Sequence, residues 1–108
     1  MTMEKKYRLL EDETITIDGR TLYRIEALRD FADVNKGDKG GYIESEINLS
    51  HEGNCWVSGN AWVCDKALVS GNARVFGNAW IYGYAWVAGN AVVAGYTRIY
   101  EGEFTSGK

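Results

Sequence analysis

Proline is missing from the 108 residues, histidine occurs once and cysteine twice. Each scarcity closes a class of function. A zinc site of the three-histidine kind cannot be assembled within one chain from His51 alone. Cys55 and Cys64 have no partner set at metal-ligand spacing, so no metal and no cofactor are expected. The two are not expected to pair either, which suits a reducing cytoplasm. No stretch approaches the 18 apolar residues of a membrane span, and Met1 to Asp18 lacks the apolar core expected of a signal peptide. Net charge is −3 without a cluster of Lys and Arg, which makes nucleic acid an unlikely partner. Gly37-Asp38-Lys39-Gly40-Gly41 is glycine-rich but lacks P-loop spacing and reads as a turn.

What is present is a repeat. Residues 57–104 divide into V-S-G-N-A-W, V-C-D-K-A-L, V-S-G-N-A-R, V-F-G-N-A-W, I-Y-G-Y-A-W, V-A-G-N-A-V, V-A-G-Y-T-R and I-Y-E-G-E-F. Position one is always aliphatic: Val57, Val63, Val69, Val75, Ile81, Val87, Val93 and Ile99. Position five is Ala from Ala61 to Ala91, then Thr97, and fails only at Glu103. A fixed period of six decides the architecture ahead of local propensity. Gly-Asn pairs supply corners, and the intervening residues alternate in and out as strands do. Three repeats close one triangular coil, and coils stack about 4.8 Å apart through parallel strand bonds. A helix would need apolar residues at i, i+3, i+4 and i+7 and would suffer from the regular glycines.

These hexapeptides resemble the hexapeptide-repeat superfamily, which implies an all-β fold, the left-handed parallel β-helix, a triangular prism. K-G-D-K-G-G-Y-I-E at 36–44 and L-S-H-E-G-N-C-W-V at 49–57 are similar to a narrower group of bacterial and phage proteins with a short N-terminal cap. The superfamily includes acyltransferases, carbonic anhydrase relatives and non-enzymatic scaffolds.

Twenty of the 27 charged residues lie in 1–56. Residues 1–42 therefore read as a cap, 43–104 as the β-helix and 105–108 as a tail, in one structural domain. Within the cap, Thr14–Ile17, Asp18-Gly19 and Arg20–Ile25 predict a hairpin. Residues 25–34 predict a short helix offering Leu28, Phe31 and Val34 to one face. Ile43 and Leu49 begin the coils, with Ile47 inward, and a two-residue insertion falls near His51-Glu52. Ten short strands, about three and a third coils, follow from this count. Asn54, Asn72 and Asn90 fall at one corner and Asn60 and Asn78 at another, where amide ladders are expected.

Folding at eighteen sorts the outward residues into walls. One wall carries Tyr42, Trp62, Trp80 and Arg98 in one column and Glu44, Cys64, Tyr82 and Tyr100 in the next. Another carries Leu68, Trp86 and Phe104. A contiguous aromatic patch marks an interface, and Trp, Tyr and Arg dominate binding hot spots. Three readings share it: self-association as a dimer or trimer, recognition of a protein or of a flat sugar or nucleobase by stacking, or exposed β-propensity without a partner. The resemblance adds a host protein as a candidate target of inhibition. It also adds acyl-CoA-dependent transfer, for which the only candidates are His51 as general base and the neighbouring Glu52. No expelled loop interrupts the repeats. The sequence thus favours a non-enzymatic interaction scaffold.

Overall fold

The computed structural model describes residues 5–105, so all but the first residue of the expected tail lies outside them. A hairpin comes first: β1 (Tyr7–Ile17) and β2 (Arg20–Ala27), antiparallel, with Asp18 and Gly19 both at positive φ in the turn. β3 (Lys39–Ile43) pairs antiparallel with β2 on one side and parallel with the repeats on the other. The repeats contribute two-residue strands at their sixth and first positions, β4 (Trp56–Val57), β5 (Trp62–Val63), β6 (Leu68–Val69), β7 (Arg74–Val75), β8 (Trp80–Ile81), β9 (Trp86–Val87), β10 (Val92–Val93) and β11 (Arg98–Ile99), and a last strand one residue early, β12 (Glu103–Phe104). They form three sheets, ordered β1-β2-β3-β5-β8-β11, β10-β7-β4 and β12-β9-β6. The result is a parallel-strand β-solenoid of about four turns. No helix among the described residues is long and apolar enough to cross a membrane.

Register explains the repeat. Val63 lies beside Ile81 and Trp62 beside Trp80. Between strands the ladder continues, with the Ser58 amide donating to the Val75 carbonyl at 2.8 Å and the Asn60 amide to that of Gly77 at 2.9 Å. Position-one side chains from Val57 to Val87 are fully buried, as are the position-five alanines. Each such aliphatic side chain contributes roughly 1.5–3 kcal/mol of burial. Corner glycines run at positive φ and abut the corner of the next coil: a Cβ on Gly71 would sit 2.9 Å from the Gly89 nitrogen. At Asp65 the repeat lacks its glycine, and the aspartate itself adopts φ 63°, as short polar residues can. The Asn54 backbone amide donates to the Asn72 side-chain oxygen at 3.3 Å, and the Asn72 side-chain amide to the Asn90 side-chain oxygen at 3.5 Å.

Four expectations are corrected. Residues 25–34 form no helix; after β2 the chain bends, and Phe31 and Val34 exchange two backbone bonds around Ala32 at φ 48°. A helix this short is costly to nucleate, and the Asp30 carboxylate draws off the Lys36 amide at 2.8 Å. Phe31 and Val34 are buried all the same, Phe31 edge-on to Trp56. Ile47 points outward, 68% exposed. Asn48 takes the inner place, bonded to the Ala67 carbonyl at 2.8 Å, because a 3-10 turn at Glu46–Asn48 capped by Ser45 shifts the register by one. The coils extend beyond the ten strands expected, to about four turns, because β12 adds a further strand beside β9; the bridge from Leu49 to Val69 is as expected. Finally, Phe104 joins the column of Val87, not that of Trp86, because the last repeat is one residue short and Glu103 falls beside Trp86.

Gly40 and Gly41 carry the chain from hairpin to solenoid, and a Cβ there would strike the carbonyl oxygens of Val57 and Ala61. Those oxygens belong to the coil backbone and cannot step aside. Gly41→Ala is expected to cost about 1–3 kcal/mol, the usual range for overpacking. Urea denaturation checks this, and an unchanged midpoint would show that the seam is loose.

Candidate functional site

The register places Tyr42, Trp62, Trp80 and Arg98 in one column. Trp62 and Trp80 stack at 4.9 Å with planes 23° apart, and the Arg98 guanidinium lies 3.8 Å from the Trp80 centroid. Arg24 covers Tyr42 at 4.7 Å and donates to its hydroxyl at 2.6 Å. In the adjacent column Tyr82 stacks on Tyr100 at 5.8 Å. Each aromatic pair adds about 0.5–1.5 kcal/mol beyond area burial. The ring faces are thus spent on one another: Trp80 is sandwiched between Trp62 and Arg98.

The hairpin then covers the wall. Leu22, with Ile15 and Ile17, packs on Trp62 and Cys64, leaving them 7% and 4% exposed. This corrects the expectation of an open aromatic face at its centre. Trp80 and Tyr82 remain half-buried, while Arg98 and Tyr100 are exposed. Stacking of a flat ligand on Trp62 or Trp80 has no free ring face to use.

A cleft of about 390 Å³ remains where the hairpin tip meets this wall, lined by Ile17, Asp18, Arg20, Trp62, Cys64, Asp65, Trp80 and Tyr82. Arg20 pins the tip, bonding Glu44 at 3.1 Å and pairing with Asp65 at 3.4 Å. Glu44 also accepts the Asp65 amide at 2.7 Å. Burial above all, then the Glu44 charge, pushes the Cys64 thiol up to about 11. At neutral pH it is a protonated thiol, not a nucleophile.

His51 is occupied. Its Nδ1 accepts the Lys6 backbone amide at 3.0 Å, which leaves the proton on Nε2, facing Glu46 at 2.7 Å. Its ring stacks on Tyr7 at 4.1 Å. The carboxylate partner is Glu46; Glu52 is exposed and donates its amide to Ser50. With both nitrogens engaged, the His51–Glu52 pairing suggested by adjacency is replaced by a Lys6–His51–Glu46 tie. In the β12-β9-β6 sheet Leu68 lies beside Trp86, whose indole N–H donates to Ser70 at 3.0 Å, but Phe104 stands outside that column. Among the described residues no three metal-ligating side chains cluster.

Sequence reasoning missed the cleft and the Lys6–Cys55 contact. The amphipathic alternation of Ile15, Ile17 and Leu22 was the available signal that the hairpin lies on something apolar.

No family model matches the chain. Over 60 residues, 49% of the chain, it is 42% identical to the "Uncharacterized acetyltransferase YdcK" of Escherichia coli strain K12. That stretch is 18% of the relative's length, so the chain spans under a fifth of the protein it matches.

The Glu46 carboxyl is held below its ordinary 4.5, first by the hydrogen bond from His51 and then by Lys5. A depressed carboxyl contributes stability that is present above its unfolded value and lost as pH falls through the folded one. Glu46→Gln keeps an acceptor for His51 but removes this titration. The variant should fall short of wild type at neutral pH and draw level with it only as pH falls well below 4.5, through the depressed folded value, measured by urea midpoints from neutral to strongly acidic pH. Equal midpoints for both proteins at every pH would show that the pair contributes nothing.

Proposed function

We propose that the chain is an acyl-coenzyme A-dependent acyltransferase-type protein of the hexapeptide-repeat class. In this reading the solenoid is left-handed and three-walled, the β1–β2 hairpin is its N-terminal cap, and the Arg20 cleft receives the acyl acceptor. The observation that carries the reading is the 60-residue match to a protein named an acetyltransferase. It is joined by a parallel solenoid of the kind the repeats imply.

The chemistry asks for little. An acceptor amine or hydroxyl attacks the thioester carbonyl, gives up its proton, and coenzyme A leaves as a thiolate. The protonated Cys64 makes an acyl-enzyme intermediate the poorer route, so transfer is direct. His51 is tied elsewhere, and Asp65 is held by Arg20. Asp18, exposed at the hairpin tip and lining the cleft, is left as the proton acceptor. Arg98 makes no ion pair among the described residues and offers its charge to a phosphate of the cofactor.

A second reading, contact without chemistry, is favoured by one observation. Among the described residues, seven of the eight exposed large hydrophobic side chains fall between Phe76 and Phe104, with Tyr84 and Tyr96 at 75% and 78%. A self-associating chain would use that end, and light scattering would return two or three times 12.1 kDa. A monomer mass at high concentration removes self-association.

Calorimetry with acetyl-coenzyme A tests the first reading. Saturable binding in the range of about 1 μM–1 mM is expected, weakened several-fold in Arg98→Ala. Asp18→Asn, which also tolerates the positive φ, should retain binding and lose transfer to a small amine. Absence of heat and of any Tm shift at millimolar acetyl-coenzyme A would end the acyltransferase reading.

A further inference from the structure

Among the described residues Lys6 is the one basic side chain fully withdrawn from solvent. Its Nζ has three neighbours: the Cys55 carbonyl at 2.7 Å, the Gly53 carbonyl at 3.2 Å and the Cys55 Sγ at 3.3 Å. Burial, as the leading cause, lowers the lysine's proton affinity and raises that of the thiol. Burial thus moves each group toward its uncharged form. The amine donates to both carbonyls and to the sulfur, so nitrogen and sulfur stand in direct contact at 3.3 Å. No ordinary surface lysine holds a thiol this way, and the acyltransferase reading uses neither residue.

We propose that Lys6 and Cys55 form an oxidative modification site, a reversible covalent bond from the N-terminal strand to the solenoid, with hydrogen peroxide as the oxidant. The thiol proton passes to Nζ, giving a thiolate beside an ammonium. The thiolate attacks one peroxide oxygen, the O–O bond breaks, and the departing hydroxide takes the ammonium proton as water. Cys55 is now a sulfenic acid. The freed amine attacks sulfur, an S–N bond forms, and hydroxide leaves with an amine proton as a second water. In sum, thiol, amine and one peroxide give a sulfenamide and two waters; sulfur loses two electrons and peroxide gains them. Sulfenic acids condense with nitrogen in this manner when one is held close. The Cys55 sulfur lies 3.8 Å from the Glu52 carbonyl, in the exposed corner of Glu52, Gly53 and Asn54 from which peroxide would reach it. A thiol or phosphine reductant attacks the S–N bond and restores both side chains.

Intact-mass spectrometry of the reduced, folded protein after millimolar peroxide tests this. Cys64→Ser should still lose about 2 Da, the two hydrogens removed with the S–N bond, and regain them on reduction. In that background trypsin should fail to cut after Lys6 and should yield the peptide Lys6–Arg8 joined through Cys55 to the peptide Gly40–Lys66. Lys6→Arg, which keeps a long basic side chain but has no primary amine to attack sulfur, should lose the linked species and accumulate sulfinic acid at Cys55. If Lys6→Arg does not fold, the peptide map of Cys64→Ser is decisive alone. The proposal is overturned if Cys64→Ser shows only oxygen additions, or if the loss of mass in wild type disappears with Cys64, which would make it a Cys55–Cys64 disulfide.

Discussion

Backbone amides bonded to carbonyls in the next coil are the constraint from which everything else in this protein follows. Once the Ser58 amide is committed to Val75 and that of Asn60 to Gly77, each side chain must coexist with the one eighteen residues on. Inside, only columns of like size satisfy that rule, hence Val57 over Val75 over Val93. At the corners, backbones approach so closely that a Cβ on Gly71 would crowd Gly89. A parallel solenoid has no freedom to correct one position without disturbing its neighbours above and below.

The same rule acts on the outer wall and produces its aromatic ladder. Tyr42, Trp62, Trp80 and Arg98 are stacked because the backbone stacks them. Such a column would expose a large apolar surface, and the hairpin answers this at one end only. Leu22, Ile15 and Ile17 close over Trp62 and Cys64, and Arg20 fastens the tip to Glu44 and Asp65. Beyond the hairpin the wall is bare, and Arg98 and Tyr100 face solvent. The cleft lies at the boundary between covered and bare wall, where one rim is ionic and the other aromatic. Boundaries of that kind provide both orientation and apolar contact to a small ligand.

The repeat region was legible because its information is periodic: Val69 and Val75 are inward for the same reason, and one reading serves eight positions. The Asp18-Gly19 turn was legible as local chemistry. What could not be read was whatever depends on one segment lying across another. Nothing local to Trp62 says that Leu22 covers it, and nothing local to His51 says that Lys6 and Glu46, not Glu52, hold it. Breaks in the period misled for a related reason. Ile47 looked inward by spacing, but Ser45 and Asn48 build a capped turn that hands the inner place to Asn48. The last repeat is one residue short, which moves Phe104 from the outer column to the inner one.

The central claim is that the hairpin and the aromatic wall form one packed unit, so that Trp62 is a structural residue and not an open recognition surface. A double-mutant cycle on Leu22→Ala and Trp62→Ala, read from chemical denaturation, tests it most directly. Direct packing predicts a coupling of at least about 1 kcal/mol between the two substitutions, within the range seen for residues in contact. Additive effects, within about 0.5 kcal/mol, would contradict the account and return Trp62 to solvent.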